Sequence, residues 1–206
     1  MRDRIRDVLV ARILDGTYPA GLQLKELSLA REFNVSQAPI REALRELEGT
    51  GLVTSERYRG THVRGADSVE MRESYELRLM MEVRSIERGL PLSPAMAEKL
   101  QSCITHMSAA VARGDSEQYI DWALNFHRSL VEMGGNGSFL KVWDSLHWDV
   151  RGRIALRRLA AVGTGLAPMV TMHVRVMQAL RDSDARRAIE ELTVILQSVA
   201  AVFVTE

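Results

Sequence analysis

The segment that most constrains the fold is NVSQAPIREALRELEGTGLV, which runs from Asn34 to Val53. A short polar turn leads into an amphipathic stretch that closes on Gly-Leu-Val. Ser36 is suited to cap a helix because its hydroxyl can accept a hydrogen bond from the first turn, where Pro39 is tolerated. Apolar residues then recur at helical spacing, namely Ile40, Ala43, Leu44 and Leu47. The segment therefore predicts a tight turn followed by a helix that carries arginines on its outer side.

Two further helices are predicted ahead of this turn. The first has one apolar face, formed by Ile5, Val8, Leu9 and Ile13. It should end at Asp15-Gly16, because glycine readily adopts the left-handed conformation that follows a helix end. The second should run from about Lys25 to Phe33, with Asn34 as its C-cap.

Two short strands are predicted after the turn. They comprise residues 52–54 and 61–63, and a polar turn at residues 56–60 joins them. Three helices followed by a hairpin form a winged helix-turn-helix, whose second turn helix lies in the major groove of DNA. The alternative is a helical hairpin with solvated charges, but the spacing of the whole segment favours the DNA-binding interpretation.

This region resembles the DNA-binding domain of the GntR family of bacterial transcription regulators. The resemblance covers PAGLQLKELSLAREFNVSQAPIREALRELEGTGLVTSERYRGTHV, residues 19–63. It implies a homodimer on an inverted repeat of double-stranded DNA, contacted by the recognition helix and the wing tip. The positions that match the family's DNA contacts are Ser36, Gln37, Ala38, Arg41, Arg45, Gly60 and His62.

One pair of residues departs from the family pattern. Gln37-Ala38 stands where the family usually has Arg-Thr. Because arginine most often contacts guanine and glutamine suits adenine, we expect an operator preference that differs from the family norm at this position. Residues 1–65 carry eleven basic and nine acidic side chains, so charge alone supports DNA binding only modestly.

The rest of the chain shows helical signals almost without a break. After a short linker at residues 64–67, short loops separate the predicted helices, so consecutive helices should pack antiparallel in a bundle. The fold class is therefore mainly α, with a winged helix-turn-helix at residues 1–66 and an all-helical effector-binding and dimerisation domain at residues 67–206. The predicted helices are 68–89, 93–114, 115–133, 138–161, 167–182 and 184–204.

Three segments of the bundle resemble the FCD ligand-binding domain of FadR-type GntR regulators. They are YELRLMMEVRSIERG, NFHRSLVEMGGNGSFL and MHVRVMQALRDSDARRAIEEL. Their order behind a GntR domain extends the resemblance over nearly the whole chain. The matching positions are Arg78, Glu82, Phe126, His127, Asn136, His173, Ala179, Asp182 or Asp184, and Ala188.

The resemblance implies a divalent metal in many such bundles, bound by an Asp and a His one turn apart and by two further histidines. This chain keeps His127 and His173, whereas Ala123 and Ile195 occupy the other two positions. Two imidazoles seldom hold a metal tightly, so we expect no metal cofactor and assign both histidines to a ligand cavity, bonded to a ligand or to each other. Arg78 should meet an anionic effector there, since a guanidinium pairs with a carboxylate; a structural salt bridge is the alternative.

Composition limits the remaining possibilities. Cys103 is the only cysteine, which excludes an intrachain disulfide and favours the reducing cytoplasm. No apolar run approaches the roughly 20 residues that a membrane span requires. The sequence thus predicts a regulator, in the family most often a repressor, that responds to a small organic acid or acyl-type effector. Two alternatives remain: a helical-bundle enzyme using His127 and His173, or an effector-independent DNA-binding protein.

Overall fold

The computed structural model describes residues 2–56, 59–64 and 68–203. The chain divides into two compact units, Met1–Asp67 and Ser68–Glu206. The first unit contains α1 (Arg2–Leu14), β1 (Gln23–Leu24), α2 (Glu26–Glu32), α3 (Gln37–Gly49), β2 (Val53–Glu56) and β3 (Gly60–Val63). The predicted fold class is confirmed by these elements together with the helical second unit.

The first unit is built around α3. Helices α1 and α2 both pack on it, and its apolar stripe is buried as the sequence predicted. On α1, Val10 is buried whereas Val8 is only half-buried, so the inward face is centred slightly differently from the prediction. Asn34 takes a left-handed backbone, with φ of 52°, directly after the C-cap residue Phe33. The turn between α2 and α3 is therefore fixed by its backbone conformation.

The three strands form one small antiparallel sheet in the order β1-β3-β2. Val53 lies opposite Val63 in the predicted hairpin, and Gln23 lies opposite His62 on its other side. Strand β1 was not predicted, because two residues are too few to show an alternating pattern. Arg57 and Tyr58 of the predicted hairpin turn lie outside the described residues.

Helices make up the described part of the second unit. They are α4 (Ser68–Gly89), α5 (Pro94–Ala112), α6 (Ser116–Met133), α7 (Gly137–Ser145), α8 (Trp148–Ala161), α9 (Leu166–Arg181) and α10 (Ala185–Ala201). Side-chain caps set several of the starts, because each cap oxygen accepts a backbone N–H of the first turn. The capping residues are Ser93, Asp115, Asn136 and Asp184.

The predicted helix at 138–161 is in fact two helices, and this prediction was wrong. Leu146 ends the first helix, and His147 adopts a left-handed backbone with φ of 49° before α8 begins. No glycine or proline marks the break. Packing against α4 accompanies it instead, because Trp143 and Trp148, on either side of the break, both lie against the Arg78 guanidinium. Arg151 Nε also donates to the Leu146 carbonyl across the break at 2.9 Å.

Two helical hairpins organise this unit, α5 with α6 and α9 with α10. Helix α4 packs on both α6 and α10, so the three surround the interior that holds the cavity described below. Backbones approach closely where α6 ends, because a Cβ added at Gly134 would lie 2.6 Å from Ser85 Cα. Among the described helices, none is both long and apolar enough to cross a membrane.

Candidate DNA-binding surface and ligand cavity

The candidate DNA-binding surface is the outer side of α3 and its preceding turn. Ser36 is the N-cap residue of α3, although its side chain makes no capping hydrogen bond. Its hydroxyl is exposed, as are the side chains of Gln37, Ala38, Arg41 and Arg45. Since Gln37, Arg41 and Arg45 are four residues apart, they form one ridge opposite the buried stripe. The structure therefore brings the predicted recognition-helix residues together on one exposed face.

The wing places the other two predicted contacts on β3. Gly60 is exposed with φ of 85°, and His62 is half-buried beside Gln23 and Thr54. The side chain of Gln23 in β1 is hydrogen-bonded to the residue that precedes β3, because its Nε2 donates to the Arg59 carbonyl at 2.7 Å. A Cβ at Gly60 would lie 2.9 Å from the same Nε2 atom, so glycine lets the two segments approach.

The two arginines of the ridge differ in their surroundings. Arg41 Nε lies 3.1 Å from both carboxylate oxygens of Glu26, and Arg41 Nη2 lies 2.8 Å from Oε2. The hydrogen bonds from Arg41 lower the pKa of Glu26, so the carboxylate stays ionised. Arg45 makes no side-chain hydrogen bond or ion pair with any other residue that the structure describes.

The candidate ligand cavity lies inside the second unit. It has a volume of about 40 Å³ and is lined by residues of α4, α6, α8, α9 and α10. Five positions singled out in the sequence all line it: Arg78, Ala123, His127, His173 and Ile195. The structure thus brings the predicted effector residues together. Apolar side chains form most of the other walls, including Ile120, Leu124, Leu156, Leu159, Met169, Leu196 and Val199.

A chain of buried hydrogen bonds runs along one wall of the cavity. Arg78 Nε donates to Glu82 Oε1 at 2.7 Å, and Glu82 Oε2 lies 2.6 Å from His127 Nδ1. His127 Nε2 and His173 Nε2 are 3.2 Å apart, and His173 Nδ1 lies 2.7 Å from the Met169 carbonyl oxygen. A carbonyl can only accept, so His173 Nδ1 carries the proton.

Burial sets the protonation of this wall. It lowers the pKa of His173 to about 3 and holds the pKa of His127 well below its usual range. It also raises the pKa of Glu82 to about 7, against the opposing effect of the Arg78 charge and hydrogen bond. At neutral pH both imidazoles are therefore neutral, and Arg78 carries the permanent charge of the wall.

The guanidinium of Arg78 is packed among aromatic rings. Its Cζ lies 5.5, 5.0 and 4.8 Å from the ring centroids of Tyr75, Trp143 and Trp148. Although the residue is only 4% exposed, its terminal nitrogens make no hydrogen bond with any residue that the structure describes. Arg78 therefore combines the structural salt bridge considered from the sequence with donors that remain available at the cavity wall.

The residues at the family's metal position do not fit a resident metal ion. Among the residues that the structure describes, only two donors meet there, the Nε2 atoms of His127 and His173, whereas zinc sites in proteins use three or four protein ligands. Both oxygens of Glu82 are already engaged, by Arg78 and by His127. Within the described ranges, no group of three or more His, Cys, Asp or Glu residues could hold a metal. That the protein binds no metal tightly remains a prediction.

Three residues that lie at these sites carry no signal for this role in the sequence. Glu82 matches the FCD pattern but was given no role, because its hydrogen-bond partner His127 is 45 residues away along the chain. Glu26 and Gln23 lie outside the recognition helix and touch it or the wing only through tertiary contacts. Spacing along the chain carries no signal for such pairs.

These features define a class of protein: a transcription regulator in which a winged helix-turn-helix is joined to a helical domain with an internal cavity. Residues 1–63 match the family described as bacterial regulatory proteins, gntR family, and residues 73–198 match the FCD domain. The chain belongs to the GntR family, in the group that carries an FCD domain. It is accordingly a DNA-binding transcription regulator and not an enzyme.

Similar proteins agree with this assignment. The chain is 28% identical over 190 residues to a probable D-xylose utilization operon transcriptional repressor of Paenarthrobacter nicotinovorans, covering 92% of this chain and 83% of that protein. It is 31% identical over 144 residues to a gluconate operon transcriptional repressor of Bacillus licheniformis, covering 69% and 59%. A putative GntR regulator of Rhodococcus sp. RHA1 shares the fold, with a TM-score of 0.76, 21% identity, and coverage of 98% and 96%.

Proposed function

We propose that the protein is a repressor that binds an inverted-repeat operator as a homodimer and is released by a small organic anion held in the cavity. Relatives named as repressors of D-xylose and gluconate operons support repression. A single winged domain with nearly balanced charge would bind DNA weakly, so two half-sites are needed for useful affinity.

The proposal of an anionic effector rests on the burial and hydrogen bonding of Arg78. A buried guanidinium whose terminal nitrogens have no partner in the described part of the chain leaves donors unsatisfied beside a cavity. Glu82 fixes the Nε side of the group, so the terminal nitrogens remain for a carboxylate or an acyl ester. Ala123 and Ile195 line the same cavity and are apolar, which favours a ligand with an apolar portion.

Ligand binding requires the cavity to open. Its volume of about 40 Å³ has room for a few water molecules, since one needs roughly 10–15 Å³ on this measure. An effector must therefore displace side chains or shift helices around the cavity. It changes DNA affinity only through a difference in its affinity for the closed and open arrangements.

The test compares operator release by carboxylates in the wild-type protein and in a variant. Truncating Arg78 alone would leave the Glu82 charge buried, so the variant combines Arg78→Met with Glu82→Gln. Arg84→Met is the matched control, because Arg84 is an exposed residue of the same helix paired with Glu87. We expect short-chain carboxylates or acyl esters to release DNA from wild type and Arg84→Met, but not from the double variant. Equal release from the double variant would refute the role of Arg78.

We also propose that DNA is contacted by the α3 surface and the wing, through Ser36, Gln37, Ala38, Arg41, Arg45, Gly60 and His62. The exposure of these residues supports this, although His62 is half-buried. Selection of operator sequences from random DNA tests the Gln37 assignment. Preference for adenine at the matching position is expected, and a guanine there would contradict it. Sedimentation with the selected operator gives the number of subunits bound.

A second candidate is a regulator that needs no effector, and the small cavity volume favours it. The two candidates differ in one measurement. If no carboxylate, acyl ester or sugar acid raises the melting temperature or releases the operator, while operator affinity stays high, effector-independent repression is the correct function. Release by any of these ligands excludes it.

A further inference from the structure

Glu26 stands out because it engages an arginine of the proposed DNA-contact ridge. It is the first residue of α2, and its carboxylate makes three hydrogen bonds to Arg41 on α3, at 3.1, 3.1 and 2.8 Å. The Arg41 side chain is 52% exposed and that of Glu26 31% exposed. The pair therefore lies at the surface, where each partner can also meet DNA.

The hydrogen bonds occupy one edge of the guanidinium. Nε–H and one Nη2–H point to Glu26, whereas the other three N–H groups make no hydrogen bond to any residue that the structure describes. The group is planar, so fixing the Nε–Nη2 edge also fixes the direction of the Nη1–Nη2 edge. That second edge has the geometry that pairs with O6 and N7 of guanine.

We infer that Glu26 is a positioning residue that holds Arg41 so that its Nη1–Nη2 edge contacts a single guanine in the operator. This rests on the proposed contact of the α3 ridge with DNA. A flexible arginine would distribute its charge over neighbouring phosphates and bind many sequences similarly. An arginine held by a carboxylate presents its donors in one direction and discriminates against other bases.

The negative charge of Glu26 makes the inference testable, because positioning and charge have opposite effects. Replacing the carboxylate with an amide removes repulsion from the phosphates, which should leave non-specific binding unchanged or tighter. The same change releases Arg41, which should weaken discrimination. Glu42→Gln is the matched control: Glu42 is exposed on α3 next to Arg41, and makes no side-chain hydrogen bond or ion pair with the described residues.

The experiment measures affinity by fluorescence anisotropy for the full chain. The probes are the selected operator, operators in which each guanine in turn is replaced by adenine, and unrelated DNA. Wild type and Glu42→Gln should lose about tenfold to a hundredfold in affinity at one guanine. Glu26→Gln should lose less than about threefold there, while binding unrelated DNA at least as tightly. In an Arg41→Ala background, Glu26→Gln should cause no further loss of discrimination.

The outcomes separate the positioning role from the contact itself. If Arg41→Ala leaves both affinity and discrimination unchanged, the proposed contact of Arg41 with DNA is wrong, and the positioning role falls with it. If Arg41→Ala removes discrimination but Glu26→Gln keeps it, only the positioning role is overturned. Because the pair is at the surface, the melting temperature of Glu26→Gln should match wild type, which excludes misfolding as the cause.

Discussion

Restoring two side chains should turn the cavity wall into a metal site. The perturbation is the double substitution Ala123→Asp with Ile195→His. Both positions line the same cavity as His127 and His173, and residue 123 lies one helical turn before His127. The chain would then have four donors of the types that zinc and nickel accept.

The existing geometry indicates that two of the four ligands are already in place. A tetrahedral zinc bound at about 2.0–2.1 Å places two imidazole nitrogens about 3.3 Å apart, and the Nε2 atoms of His127 and His173 are 3.2 Å apart. Each ring is also oriented through its other nitrogen, by Glu82 and by the Met169 carbonyl, as metal-bound histidines usually are. The two histidines of the wild-type chain are therefore correctly spaced for a metal ion, and the chain lacks only the third and fourth ligands.

The expected magnitude follows from linkage between binding and folding. At a free zinc concentration of about 100 times Kd, binding stabilises the folded domain by about 2.7 kcal/mol. For a chain of this size that corresponds to a rise in melting temperature of about 5–10 °C. Without metal, the introduced carboxylate lies in an apolar cavity and should destabilise the domain by about 1–3 kcal/mol.

The assay is a thermal melt of each variant with and without zinc or nickel, with metal analysis after dialysis. The two single substitutions are the controls, since each supplies only three protein ligands and should show a smaller shift. Wild type should retain far less than one equivalent. The reasoning is refuted if the double variant shows no metal-dependent shift, or if purified wild type already carries one equivalent per chain.

Three further perturbations follow from packing, burial and charge. Gly134→Ala should lower the free energy of unfolding in urea by about 1–3 kcal/mol, because its Cβ would lie 2.6 Å from Ser85. Gly137→Ala is the control, since the space around it is open, and equal losses in the two variants would contradict this. Burial lowers the pKa of His173 to about 3, so the folded state loses stability relative to the unfolded state as pH falls from about 6.5 towards 3. Between pH 7 and 5.5, His173→Phe should therefore lose about 1 kcal/mol less unfolding free energy than wild type. Parallel pH profiles of the two proteins would argue against this. Arg45→Ala should reduce the slope of log K against log salt by about 1 if Arg45 binds a phosphate, and an unchanged slope would exclude that contact.

The winged domain could be predicted in most of its elements because its signals are local. The buried stripe of α3 and the start of the helix after Ser36 depend on neighbours within a few residues, and both were confirmed, although the Ser36 hydroxyl does not make the predicted capping hydrogen bond. Strand β1 was missed because its two residues, Gln23 and Leu24, pair with β3 nearly 40 residues away. A strand of that length exists only through its partner.

The bundle shows the same division between local and tertiary signals. The predicted starts of α5 and α6, at residues 93 and 115, agree with the caps Ser93 and Asp115, whereas the break between α7 and α8 was not predicted. His147 adopts a left-handed backbone that its residue type does not predict, and the tryptophans on either side of it pack against Arg78 of α4, a contact that the local sequence does not show. Sequence resemblance placed His127 and His173 at one site, but only the fold revealed that Glu82 joins them.

Arg41 and Arg78 are held in the same way but in different surroundings. Each guanidinium donates through Nε to one glutamate. Arg41 adds an Nη2 hydrogen bond to the same carboxylate, and both arginines keep further N–H groups for an anionic or acceptor group. The Arg41 pair is exposed, so it contributes little to folding stability, and its carboxylate can serve specificity at little cost to the fold. The Arg78 pair is almost fully buried, so removing one partner would cost about 3–5 kcal/mol. In the proposed function, an effector bound only to the terminal nitrogens of Arg78 would leave this pair intact, whereas one that drew the guanidinium away from Glu82 would have to offset that cost with its own contacts.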